Sequence, residues 1–102
     1  MDSASEPDKV SKPEMEKEAR WADDPAPAYD VICWDDPVNY MEVETHVFMK
    51  IFGWDKPTAV KHTIEINDTG KSVLAREEFE QAECYVHQLL HYSLHATMEP
   101  VQ

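Results

Sequence analysis

Glycine is scarce in this chain, two residues in 102, and so are cysteine, also two, and basic side chains, nine Lys and Arg against 21 Asp and Glu. So few glycines leave no glycine-rich loop to cradle a phosphate and no nucleophile elbow. Cys33 and Cys84 are too few for a disulfide framework and suit a reducing compartment. The net charge of −12 argues against nucleic acid and against anionic membrane surfaces, because phosphate contacts need clustered Lys and Arg. No stretch approaches the roughly 20 apolar residues of a membrane span. Met1-Asp2-Ser3 lacks the basic and apolar opening of a secretory signal. The expectation is a small cytoplasmic, monomeric protein of one domain, too small to enclose a deep enzyme cavity.

Two regimes divide the chain. Residues 1–26 hold eight acids, four bases and few large apolar residues, a composition that does not offset the backbone entropy of ordering, about 1–2 kcal/mol per residue. They read as a disordered acidic tail. Residues 27–102 read as the folded domain, itself acidic, with 13 acids and 5 bases.

Within that domain Tyr29, Val31 and Cys33 alternate with Ile32 and Trp34, a strand pattern that stops at Asp35 and Asp36. Pro37 follows, and Asn39 stands three residues before Glu42, which predicts a helix capped by Asn39. Val43, Val47 and Ile51, with Phe48 and Phe52, predict its apolar stripe, and Gly53 its end. Asp55 predicts the cap of a second helix, with Pro57 in its first turn, a weak stripe at Ala59, His62, Thr63 and Ile66, and Gly70 as its stop. Lys71 to Ala75 reads as a second strand. Glu77 and Glu78 open a third helix, carried by Phe79, Ala82, Val86, Leu89 and Leu90 to about Tyr92. Leu94 to Glu99 alternates as a third strand. The order is β-α-α-β-α-β, an α+β domain with helices on one face of a three-stranded antiparallel sheet.

The acid pair either ends the strand in a plain turn or faces a small cation from a stiff corner. His46 and His62 are expected to be half-buried. His87 and His91 share one helical face at i, i+4, as in some zinc sites, yet no third ligand completes the pattern, and exposed histidines are the simpler reading. No metal and no cofactor are expected.

The order of these signals resembles the ClpS family, adaptors that deliver N-degron substrates to Clp AAA+ proteases. The resemblance lies in the strand ending at Asp35-Asp36, Met41-Glu42 opening a helix, Phe52-Gly53 closing it, Gly70-Lys71 after the second helix, and Ala96-Thr97-Met98-Glu99 as the last strand. It implies capture without catalysis. Asp35, Asp36 and Asn67 would accept hydrogen bonds from the free α-ammonium of a substrate. Asn39, Met41, Thr63, Ile66 and Leu94 would line a pocket for a first side chain of the Leu, Phe, Tyr or Trp kind. The implied partner is the N-terminal domain of a Clp AAA+ unfoldase. Five positions depart from the family's usual residues: Asp35 stands for Asn, Asn39 for Thr, Asn67 for His, Thr63 for Met, and Glu44 for a small apolar gate residue.

Overall fold

The structure, a computed structural model, describes residues 26–101. The tail reading therefore lies, but for Ala26, outside the described residues. The elements run β1 (Tyr29–Trp34), α1 (Met41–Phe52), α2 (Lys56–Thr69), β2 (Lys71–Glu77), α3 (Phe79–His91) and β3 (Ala96–Pro100). This is the expected β-α-α-β-α-β order. The three strands form one antiparallel sheet in the order β2-β1-β3, with β1 at its centre.

Being central, β1 is covered on both edges. Val31 and Cys33 face a core shared with Val47 and Phe48 of α1, Ala59 and Ile66 of α2, and Ala82, Val86 and Leu89 of α3. Ile32 points to the other face, outside that core, and is nonetheless buried, since Val73 and Thr97 stand opposite it on the two flanking strands. Pairing slips between Val31, opposite Ala75, and Ile32, opposite Val73, so Leu74 is an extra residue in β2. This bulge lets both Leu74 and Ala75 reach the core.

Two helix-start expectations need correction. Residue 40, not Asn39, is the cap of α1, and Tyr40 makes no side-chain capping bond. The Asn39 amide is engaged elsewhere: its Nδ2 donates to Asp36 Oδ2 at 3.3 Å and to the Ser93 carbonyl at 3.1 Å. The α1 stripe is also rotated from the expected one. Val43 is 43% exposed, and the inward positions are Glu44, Val47 and Phe48, with Ile51 half-buried beyond them. The i, i+3, i+4, i+7 spacing runs through Glu44 as well as through Val43; hydrophobicity picked the wrong member, and packing placed a carboxyl inside.

The signals at the end of α1 and at both ends of α2 hold. Asp55 Oδ1 accepts the Thr58 N–H at 3.1 Å, with Pro57 in the first turn of α2. Gly53 and Gly70 take left-handed conformations, φ +71° and +96°, and close their helices through bonds to Met49 O and Ile66 O. The end of α3 has no glycine: Ser93 takes φ +67° there, and Leu94 N–H returns to Leu89 O at 3.1 Å. That turn delays β3 to Ala96, two residues later than expected. β2 runs two residues further than expected, where Arg76 Nε donates to Asp30 Oδ1 at 2.8 Å across the ladder. His46 is exposed rather than half-buried. His62 is half-buried as expected, stacked on Trp54 and bonded to Ser72.

A Cβ added at Gly70 would meet nothing within 4 Å, so its cost is conformational alone. Gly70→Ala is expected to destabilise the fold by about 1–2 kcal/mol, read as a lower midpoint in urea with an unchanged slope.

Candidate functional site

Two backbone hydrogen bonds build the site. As β1 runs out, the Trp34 N–H donates to His95 O at 2.9 Å and the next amide, Asp35 N–H, donates to Gly70 O at 2.8 Å. The strand end is thus held between the α3–β3 turn and the α2–β2 turn, and Asp35 and Asp36 emerge where both meet the start of α1. Asp36 then folds the following turn around itself. Its Oδ1 accepts the Val38 N–H at 2.9 Å, its Oδ2 accepts the Asn39 amide, and its carbonyl accepts the Asn39 N–H at 3.1 Å. Asn39 bridges onward to Ser93, beside Leu94.

The expected site residues fall into three groups. Asp36 and Asn39 are half-buried and hydrogen-bonded to each other, with Asp35 exposed beside them. Ile66, Thr63 and Leu94 are buried at 1–2% exposure, Ile66 and Leu94 as members of the core. Asn67 is exposed on the last turns of α2, and its side chain makes no hydrogen bond among the described residues.

A groove of about 510 Å³ runs between α1 and α2, lined by Met41, Thr45, His46, Met49, Val60 and Thr63 among others. It contains Met41 and Thr63 of the expected pocket, while Asn39, Ile66 and Leu94 are not on its wall. Thr45 ties its two sides, donating to Met41 O at 2.8 Å and lying 3.4 Å from Thr63 Oγ1, whose own hydroxyl reaches Val60 O at 2.8 Å. Next to the acid pair the chain exposes a run of apolar side chains, Val38, Tyr40, Met41 and Val43. The histidine pair lies elsewhere, on the outer side of α3. No group of three or more metal-type side chains occurs among the described residues.

Glu44, marked in the sequence only as a departure from the family pattern, is buried in the structure. It is 3% exposed, and its carboxyl is pushed up to about 7, first by burial and then by the like charges of Asp35 and Asp36. Burial, then Glu44 and Asp36, likewise push the Cys33 thiol up to about 12, so Cys33 is a neutral core residue and no nucleophile. No described cation offsets this cluster. Arg76 pairs with Asp30, and Lys71 lies over the Trp34 ring, while Lys50 lies over Tyr92. The place of Glu44 three residues before Val47 and four before Phe48 was the available signal.

A carboxyl held above its ordinary value adds stability below its unfolded pKa and loses it as pH rises through the folded one. With Asp35, Asp36 and Cys33 around it, Glu44 should weaken the fold progressively from about pH 5 to above 7. Glu44→Gln is therefore expected to raise the melting temperature relative to the unsubstituted chain at pH 8, with the gain shrinking toward pH 5. Parallel thermal melts across that range provide the check.

Comparison with known proteins agrees with the fold. The family model for ATP-dependent Clp protease adaptor protein ClpS matches residues 24–101. The ATP-dependent Clp protease adapter protein ClpS of Mycobacterium tuberculosis is 40% identical over 72 residues, 71% of each chain. Its counterpart in Mycolicibacterium paratuberculosis is 34% identical over 99 residues, covering 97% of this chain and 94% of the relative. Among solved structures, Agrobacterium tumefaciens ClpS2 bound to L-phenylalaninamide superposes with a TM-score of 0.68 at 21% identity, over 74% of this chain and 98% of that one. At that identity the likeness is one of fold. No described helix is long and apolar enough to cross a membrane. The chain belongs to the ClpS family of ATP-dependent Clp protease adaptors, proteins that deliver N-degron substrates to the protease and catalyse no reaction themselves.

Proposed function

We propose that the acid corner at the end of β1 is the clamp for a substrate's first residue, with Asp35, Asp36 and Asn67 accepting from its α-ammonium. The observation that supports this most is the juxtaposition of uncompensated carboxylates with exposed apolar side chains on one short segment, Asp35 to Val43. An α-amino group has a pKa of about 7.7–8.0, so at neutral pH it is mostly a cation with three donors and no acceptor. A site made only of acceptors suits it. The first side chain enters among Asn39, Met41 and Thr63, with Ile66 and Leu94 as the closed floor beneath. In the Agrobacterium relative of this fold the ligand is L-phenylalaninamide, which joins a free α-amine to a bulky apolar side chain.

The magnitudes suit transient capture. Each charge-assisted hydrogen bond contributes about 1.5–3 kcal/mol, and burying one large apolar side chain a similar amount. After the cost of association this leaves affinities on the order of micromolar, loose enough for transfer. The substrates are proteins beginning with Leu, Phe, Tyr or Trp. The receiving partner is the N-terminal domain of a Clp AAA+ unfoldase in the cytoplasm, engaged with the help of the acidic segment 1–26. The adaptor acts as a monomer, with neither nucleic acid nor membrane as a partner.

A fluorescent peptide with a free N-terminal Phe is expected to bind and its N-acetylated twin to fail, because acetylation removes the charge and two donors. Equal affinity for the two would rule the clamp out. Asp36→Ala should weaken the free-amine peptide tenfold or more, from about 1.5 kcal/mol of lost charge-assisted bonding. Circular dichroism of the variant separates that loss from unfolding, since Asp36 also holds its own turn.

A further inference from the structure

The groove between α1 and α2 is larger than the clamp needs. Its volume, about 510 Å³, is that of a site for a drug-sized ligand, more than one first side chain fills. Met41 and Thr63 belong both to this groove and to the pocket proposed for that side chain, which makes the two spaces continuous. The direction in which the groove leaves the clamp follows from the helices. α1 begins beside the acid corner, whereas α2 ends there, with Gly70 O accepting the Asp35 N–H. The two helices therefore run in opposite directions, with Thr45 and Thr63 facing each other at 3.4 Å. Away from the corner the wall passes from Met41 through Thr45 to Met49 on α1, and from Thr63 through Val60 to Lys56 on α2. At 1.5 Å per residue, Lys56 stands about 10 Å beyond Thr63.

The charges along this wall are sorted. Glu42 lines the clamp end, next to Met41, and Lys56 lines the far end, with His46 on the opposite helix. The domain from residue 27 onward holds 13 acids and five bases, so an uncommitted cation in a cavity wall stands out. Lys50, Lys71 and Arg76 each engage a ring or a carboxylate. Lys56 makes no such contact among the described residues, and Lys61, which makes none either, lies off the groove wall. The neighbouring Asp55 carboxylate caps α2 through the Thr58 N–H.

We infer that the groove receives the residues that follow the first in a substrate polypeptide, and that Lys56, with His46 opposite, selects an aspartate or glutamate at the third or fourth position. The inference rests on the clamp proposed above. An extended chain advances about 3.3 Å per residue, so the third and fourth residues come about 7–10 Å along the groove, level with the Lys56 side chain. The charge order of such a chain mirrors that of the wall: an ammonium at the acid corner, an apolar side chain against Met41 and Thr63, an anion at Lys56. Thr45, Met49 and Val60 between the two ends carry no charge and set no sign on the second residue. Complementarity of this kind fixes register more than it adds affinity.

The test uses the full chain and fluorescent peptides with Phe first, a neutral remainder, and one Glu at position two, three or four. Each is paired with a Gln counterpart and with an N-acetylated twin, and binding is followed by anisotropy at pH 7.5. Glu at position three or four is expected to bind about two- to fivefold tighter than Gln, the range of a solvent-screened ion pair. Lys56→Gln should erase that advantage, and Lys56→Glu should transfer it to a Lys at the same peptide position. Lys56 is exposed, and circular dichroism confirms that each variant is folded. If free-amine peptides outbind their acetylated twins but the Glu advantage is absent, is equal at position two, or persists in Lys56→Gln, the subsite is overturned and the clamp stands. If no free-amine peptide outbinds its acetylated twin, the clamp falls and this inference falls with it.

Discussion

The pair of backbone bonds at the end of β1 is the constraint on which the site depends. A strand flanked on both edges has every amide committed, and here the last two are committed to different turns, Trp34 to His95 and Asp35 to Gly70. The backbone entering Asp35 is thereby tied to two turns, and Asp36 is held in turn by its bonds to Val38 and Asn39. Rigidity matters for a clamp of this size. A small domain has little binding energy to spend on ordering a loop, and a preorganised corner avoids most of that cost. Both anchoring turns depend on left-handed residues, Gly70 at one and Ser93 at the other, which connects backbone conformation directly to the placement of two carboxylates.

Electrostatics sets stability against function at this corner. Burial first, and then the like charges of Asp35 and Asp36, push the Glu44 carboxyl upward. Without a bound cation the cluster is a liability of the fold. Sites that recognise a charged group commonly accept such a penalty in the free state, because neutralising the cluster in advance would also remove the reason to bind. The neutral Cys33 and the turn-bound Asn39 are consistent with a place where capture, not covalent chemistry, is performed.

Local signals were legible where one residue type has one conformational use. Gly53, Gly70, Asp55 and Pro57 marked helix ends and starts because left-handed φ, side-chain capping and a missing N–H are properties of the residue itself. The Asn39 cap failed for a partly non-local reason: its Nδ2 donates to Asp36 and to the Ser93 carbonyl, 54 positions away, and so the side chain serves those partners instead of the start of α1. The α1 stripe failed at one position because periodicity allows either Val43 or Glu44 to turn inward. The end of α3 lacked a glycine, so nothing in the residues announced that Ser93 would take the left-handed turn and delay β3.

From the residues alone came the element order, the α+β class, the acid corner between strand and helix, and the family, since each follows from local propensity or from motifs in a fixed sequence. Only tertiary packing decided which strand is central, which face of α1 is buried, and that Glu44 is inside rather than in water. The physical reason is that pattern and propensity act over a few residues, whereas the burial of a charge is settled by what the rest of the chain places around it.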